Sequence, residues 1–263
     1  MKLKRIKIYM DHNLGDKIYC SHFEFRVFVM GYCLTQRLKK LKFETDGTFD
    51  TIFIKAGLSP GIELNNYSFD RSIRVSVPFD FRLYDISDDT LRCRQYFDLT
   101  KTSLIEASKI KSIPLEELLE SLTSLADNNF VYIWDFKSIY VREYNFKIKF
   151  ICRLTTKDFT LNISAFDKKG SLPVCEGQVI RTLPDDIFFG DISKKIGIRD
   201  GKAFISQRSH EYLSIDLEGL SRGQLKVDFT PAPNPDNETA TAIFYSLQKD
   251  LRYDNDDFIC DCD

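Results

Sequence analysis

Along residues 2–9, Leu3, Ile6 and Ile8 alternate with Lys2, Lys4, Arg5 and Lys7, with one slip at Lys4-Arg5. That period predicts a strand with one wet face. A row of lysines also suits an edge strand, because it discourages pairing with other chains; a phosphate-binding strand is the functional alternative. Residues 22–30 alternate again, with Phe23, Phe25, Val27 and Val29 on one side, and predict a second strand. Residues 48–54 and 72–81 extend the series, with Ile73, Val75 and Val77 sharing a face and Pro78 pointing to an edge or a bulge.

The period then changes. Ser87 offers an N-cap, followed by Asp88 and Asp89 at the positive end of a helix. Cys93, Phe97, Thr100, Leu104 and Ala107 keep helical spacing to about Lys109. Pro114, after Ser112, fits the first turn of a second helix. Leu115, Leu118, Leu119, Leu122, Leu125 and Ala126 step by threes and fours, a stripe expected to face the core, and Asp127-Asn128-Asn129 ends it. Strand patterns return at 130–134, 146–154 and 159–166, with a turn at Asp167-Lys168-Lys169-Gly170 and a returning strand at 174–181. Shorter strands are expected at 203–206, 211–217 and 224–229. Pro231-Ala232-Pro233-Asn234-Pro235 breaks the pattern before a last helix at about 238–251. Strands flanking a helical pair predict an α+β fold, with mainly antiparallel sheets, a central pair of helices and a C-terminal helix. The expected organisation is one domain over residues 1–263, with a β-rich 1–83 and a mixed 84–263 as candidate lobes. The similar tetrapeptides at 84–87 and 190–193 have no aligned surroundings, so no repeat is read.

Composition narrows the function classes. The chain is 43% apolar and 29% charged, which predicts a folded globule. Its 37 basic and 39 acidic side chains nearly cancel, so nucleic acid is not expected as a partner. The charge is uneven, however: residues 1–42 carry +7 and residues 231–263 carry −6. No stretch approaches the ~18 apolar residues of a membrane helix, and the basic start lacks the apolar core of a secretory signal. A cytoplasmic protein without membrane contact is expected. Seven unevenly spaced cysteines suit a reducing compartment better than a disulfide framework.

Catalytic motifs do not emerge. His12, His22 and His210 are the only histidines, and neither Cys20-Ser21-His22 nor Cys260-Asp261-Cys262 has a second ligand pair at zinc-site spacing. His210-Glu211 begins like a zinc-protease signature, but Ser214 stands where the second histidine belongs. Serine-elbow and phosphate-cradling glycine patterns are missing too. Glu116-Glu117 and Asp185-Asp186 diverge by about 100° on a helix and read as solvated positions. No metal and no cofactor is expected. Phe146-Lys147-Ile148-Lys149-Phe150 interleaves bases with aromatics, as a nucleic-acid binder would, but so does any half-exposed strand.

Several features together resemble immunity proteins of bacterial polymorphic-toxin systems. These are Val77-Pro78-Phe79-Asp80-Phe81 leading to the helix at Ser87, a second helix closing on Asn128-Asn129-Phe130 before Trp134, and the turn at 167–170. The resemblance spans roughly residues 70–205 and lies in the order of elements, so it carries over no site residue. It implies a non-enzymatic protein that binds and neutralises a cognate protein toxin. The acidic tail, with Asp254, Asp256, Asp257, Asp261 and Asp263, is the candidate partner-binding segment for a basic toxin face; deleting residues 254–263 is expected to weaken binding. Pairing of a strand edge with the toxin is the alternative contact. A homodimer is compatible with this reading; an enzyme whose site is assembled from distant residues and a phage or secretion-related structural protein are the competing readings.

Overall fold

The alternation at the start of the chain becomes β1 (Arg5–Met10), where Ile6, Ile8 and Met10 are buried and Arg5, Lys7 and Tyr9 take the opposite face. A computed structural model describes residues 1–67, 69–167, 172–189, 195–207 and 210–229. The chain divides into two units: residues 1–132 with 155–157, and the remainder from residue 133. The fold is α+β, and its sheets are mostly antiparallel. The expected C-terminal helix at 238–251 and most of the expected turn at 167–170 lie outside the described residues.

Residues 22–30 are not a strand. They belong to the 25-residue helix α1 (Lys17–Leu41). Its buried set includes Phe23, Val27, Met30, Leu34 and Leu38, which step by threes and fours along one face. Phe25, read as part of the same apolar row, falls about 200° away from Phe23 around the helix. Asp16 caps the start, its carboxylate accepting from the Tyr19 amide at 2.8 Å. Lys39 and Lys40 oppose the negative end, and Lys42 leaves in the left-handed region at φ 54°. Gly31 lets the helix lie close on β1, since a Cβ there would sit 3.1 Å from the Ile6 carbonyl oxygen.

α1 carries the chain back to begin β2 (Thr51–Gly57) parallel to β1. β3 (Gly61–Tyr67) and β4 (Asp70–Pro78) complete a four-stranded sheet in the order β1-β2-β4-β3. β2 and β4 are parallel, and only β3 runs antiparallel to its neighbour, so this sheet is mixed rather than antiparallel. Pro78 marks neither an edge nor a bulge: β4 is interior, and Pro78 is its final residue, opposite Gly57.

Ser87 closes the short α2 (Phe81–Ile86); the cap of α3 (Asp89–Ile110) is Asp88, whose carboxylate accepts from the Leu91 amide at 2.8 Å. α4 (Leu115–Asp127) buries Leu118, Leu122 and Leu125, as its stripe requires. Three long helices thus accompany the sheet, not two. α1, α2 and α3 share an aromatic cluster around the fully buried Phe23. Its ring meets Phe79, Tyr96 and Tyr84 edge-on at 5.4, 5.5 and 5.7 Å. The Tyr96 hydroxyl donates to that of Tyr84 at 2.8 Å, so the buried phenol is satisfied.

The second unit holds two sheets. One is β5 (Tyr132–Val141), β6 (Phe146–Leu154), β7 (Phe159–Asp167) and β8 (Pro173–Thr182), paired in that order. Trp134 and Phe189 of α5 (Asp186–Phe189) pack on Phe159, the latter stacked at 4.1 Å. Asp158 accepts from Arg181 at 2.9 Å, holding the turn between β6 and β7. The other sheet is wholly antiparallel and comprises β9 (Lys195–Arg199), β10 (Lys202–Gln207), β11 (His210–Asp216) and β12 (Val227–Phe229), with α6 (Leu217–Ser221) between the last two. In β6, Phe146, Ile148 and Phe150 point inward while Lys147 is exposed, so its aromatics and that base occupy opposite faces.

Candidate interaction surface

Cys20, Cys33, Cys93, Cys152 and Cys175 are all free thiols. Burial is the main force on each, and it pushes all five pKa values up, Cys33 to about 11 and Cys152 to about 12. Buried thiols of this kind stay protonated at neutral pH and make poor nucleophiles or ligands. Cys20 and His22 diverge around α1, and the Cys20 thiol donates to the Gly15 carbonyl. Among the described residues no group of three His, Cys, Asp or Glu side chains can hold a metal ion. No helix among them is long and apolar enough to cross a membrane. Asp254, Asp256, Asp257, Asp261 and Asp263, the candidate partner-binding residues, lie outside the described residues, as does the Cys260-Asp261-Cys262 cluster.

What the first unit presents instead is a sheet with two unlike edges. At β1 the helix closes the edge: the Ile6 amide donates to the Thr35 hydroxyl at 3.0 Å. Arg5 and Lys7 add exposed charge beside it. At β3 no such side-chain closure is made by the described residues. Every residue of β3 except Asn65 is exposed, on both faces of the strand.

The register explains why this edge is apolar as well as open. Ile62 pairs with Val75 and Leu64 with Ile73. Val75 and Ile73 are fully buried, but the same face one strand further out is left partly bare, with Ile62 37% and Leu64 51% exposed. At the hairpin end Tyr67 and Phe69 stack at 5.6 Å with planes 9° apart, though they are 60% and 88% exposed. Exposed aromatics and branched residues on an open strand are the usual makings of a contact surface.

Asp70 fixes the hairpin. Its carboxylate accepts from the Ser72 hydroxyl at 2.6 Å, from Arg74 at 2.7 Å and from the Asn65 amide at 3.4 Å. The Ser72 bond and the Arg74 ion pair outweigh the cost of desolvation and hold the carboxyl below its ordinary range. The β3–β4 hairpin is therefore held in a defined register. Sequence reasoning passed over this strand, because Glu63, Asn65 and Asn66 dilute its apolar period. The one readable signal was Ile62 and Leu64 at strand spacing directly after Pro60-Gly61.

Comparison with protein-family models, with curated proteins and with solved structures found no match.

Proposed function

We propose that this chain is an immunity-type protein that binds and neutralises a cognate bacterial toxin domain, performing no bond-making chemistry of its own. The contact we assign is the free edge of β3, onto which an extended toxin segment adds as a further strand. The observation that carries this reading is the contrast between the two edges. β1 is closed by Thr35 and flanked by charge, whereas β3 has a backbone edge that no described residue pairs, together with Ile62 and Leu64. In strand addition the main chain supplies affinity and alternate side chains supply specificity. Ile62 and Leu64 would supply that specificity on one face and Tyr67 on the other.

The test is capture from the native host with the full chain and with Leu64→Lys as bait. Leu64 still has half its surface to bury, worth about 1 kcal/mol, and a lysine there adds a desolvation cost. The expected result is one captured protein that arrests growth when expressed alone, is relieved by co-expression of the full chain, and binds Leu64→Lys at least about fivefold more weakly. A harmless captured protein, or equal binding by Leu64→Lys, refutes the proposal.

A further inference from the structure

The face of the mixed sheet turned away from the helices is a separate surface with different chemistry. Register aligns its side chains in rows across the strands. Arg5 stands beside Thr51, Ser72 and Asn65; Lys7 beside Phe53, Arg74 and Glu63; Tyr9 beside Lys55, Ser76 and Gly61. Four cations and two aromatic rings from three strands therefore share one face, with Arg5 and Lys7 exposed and Tyr9, Phe53, Lys55 and Arg74 half-buried. Phe53 sits between Lys7 and Arg74 in the middle row, with the Arg74 guanidinium 5.1 Å from its ring centre. Tyr9 meets Phe53 edge-on at 6.1 Å and stacks with His12 at 6.3 Å.

The carboxylates on this face are mostly engaged. Asp11 lies 3.3 Å from Lys55, and Asp70 is tied to Arg74 at 2.7 Å. Glu63 is on β3, the far strand from Arg5 and Lys7. Arg5 and Lys7 are exposed and make no ion pair with any described residue. The buried Arg74 Nε also lacks a hydrogen-bond partner among the described residues. The face is thus cationic toward β1, and its rings lie among the cations rather than beneath the sheet.

We propose that this open face binds single-stranded nucleic acid, with bases against Tyr9 and Phe53 and with Arg5 and Lys7 on the phosphates. Aromatic rings set among cations fit bases joined by phosphates, since every base has a face to stack and every linkage a charge to neutralise. A four-stranded sheet is about 15 Å across, room for two or three unstacked nucleotides. An acidic protein would use the cations but gain little from the rings, and a duplex keeps its bases stacked on one another. The near-zero net charge of the whole chain hides this face, because the first 42 residues carry +7.

The test is fluorescence anisotropy of the full chain with labelled oligouridylate and oligothymidylate of about 12 nucleotides, a duplex of the same length, and polyglutamate as competitor. The expected result is binding of the single strands in preference to the duplex, weakened by salt. Tyr9→Leu and Phe53→Leu, checked for folding by circular dichroism, each weaken it about tenfold. Arg5→Gln combined with Lys7→Gln, both on exposed side chains, weakens it and makes the salt slope shallower by about 1.4. No binding at low salt overturns the proposal. So does binding that is equal for duplex and single strand, or that polyglutamate displaces and the aromatic variants leave unchanged. None of these outcomes bears on the β3 edge, which Leu64→Lys tests by itself.

Discussion

Truncating Phe23 to alanine tests the element that departs furthest from the sequence pattern. As a helix, α1 puts Phe23 at the centre of the aromatic cluster and turns Phe25 to a half-buried position. As a strand, the segment would have placed both rings in one row. Removing a fully buried phenylalanine costs about 3–5 kcal/mol in transfer and cavity terms. Three edge-on partners between 5.4 and 5.7 Å place Phe23 at the upper end, about 4–5 kcal/mol. In a unit of this size that lowers the midpoint of thermal unfolding by about 12–20 °C. Phe25→Ala, with less surface to lose, is expected to cost about 1–2 kcal/mol. Urea unfolding of the full chain, followed by far-ultraviolet circular dichroism, measures both. Near-equal costs, or less than about 1.5 kcal/mol for Phe23→Ala, would falsify the helical account of this segment.

Two further predictions concern ionisation. Partial burial disfavours the Asp89 carboxylate, but its ion pairs with Lys157 and with Arg26 at 2.9 Å outweigh that cost and leave its pKa lowered. A depressed carboxyl stabilises the fold above its unfolded pKa and loses that contribution as pH falls through its folded value. Asp89→Asn should therefore cost about 0.5–1 kcal/mol at neutral pH, modest because the side chain is partly exposed, and the gap should close below about pH 4. A gap that widens in acid refutes the assignment. The thiols of Cys33 and Cys152, held protonated by burial, should resist alkylation in the native state at pH 7 and react on addition of urea. Mass spectrometry after brief iodoacetamide treatment reads this directly, and rapid native labelling of either residue contradicts it.

Elements whose period has one interpretation were legible in the sequence. The leucines of α4 repeat only as a helix does, and the acidic start of α3 marks its cap to within one residue. α1 was misread because Phe23, Phe25, Val27 and Val29 satisfy a period of two over a short window. The helical set Phe23, Val27, Met30, Leu34 and Leu38 becomes visible only over a longer one. Aromatic and branched residues favoured the strand, and burial against β1 and the aromatic cluster overrode that preference. β3 escaped for the opposite reason: an edge strand exposed on both faces has no buried row to impose a period.

Neither surface of the mixed sheet follows from any one segment. Lys7 and Phe53 are 46 residues apart, Arg74 lies beyond both, and it is the parallel pairing that sets them in one row. That pairing depends in turn on α1 being long enough to return the chain to the starting end of β1, which a strand at 22–30 would not have done. The misread helix and the unseen face are thus one problem. Once residues 17–41 are helical, β1 and β2 run parallel, and the bases of the first strand are joined by Phe53 and Lys55. The basic alternation of β1 therefore gains its stacking partners only through the crossover, and the same crossover leaves β3 as the one edge of this sheet that α1 does not reach.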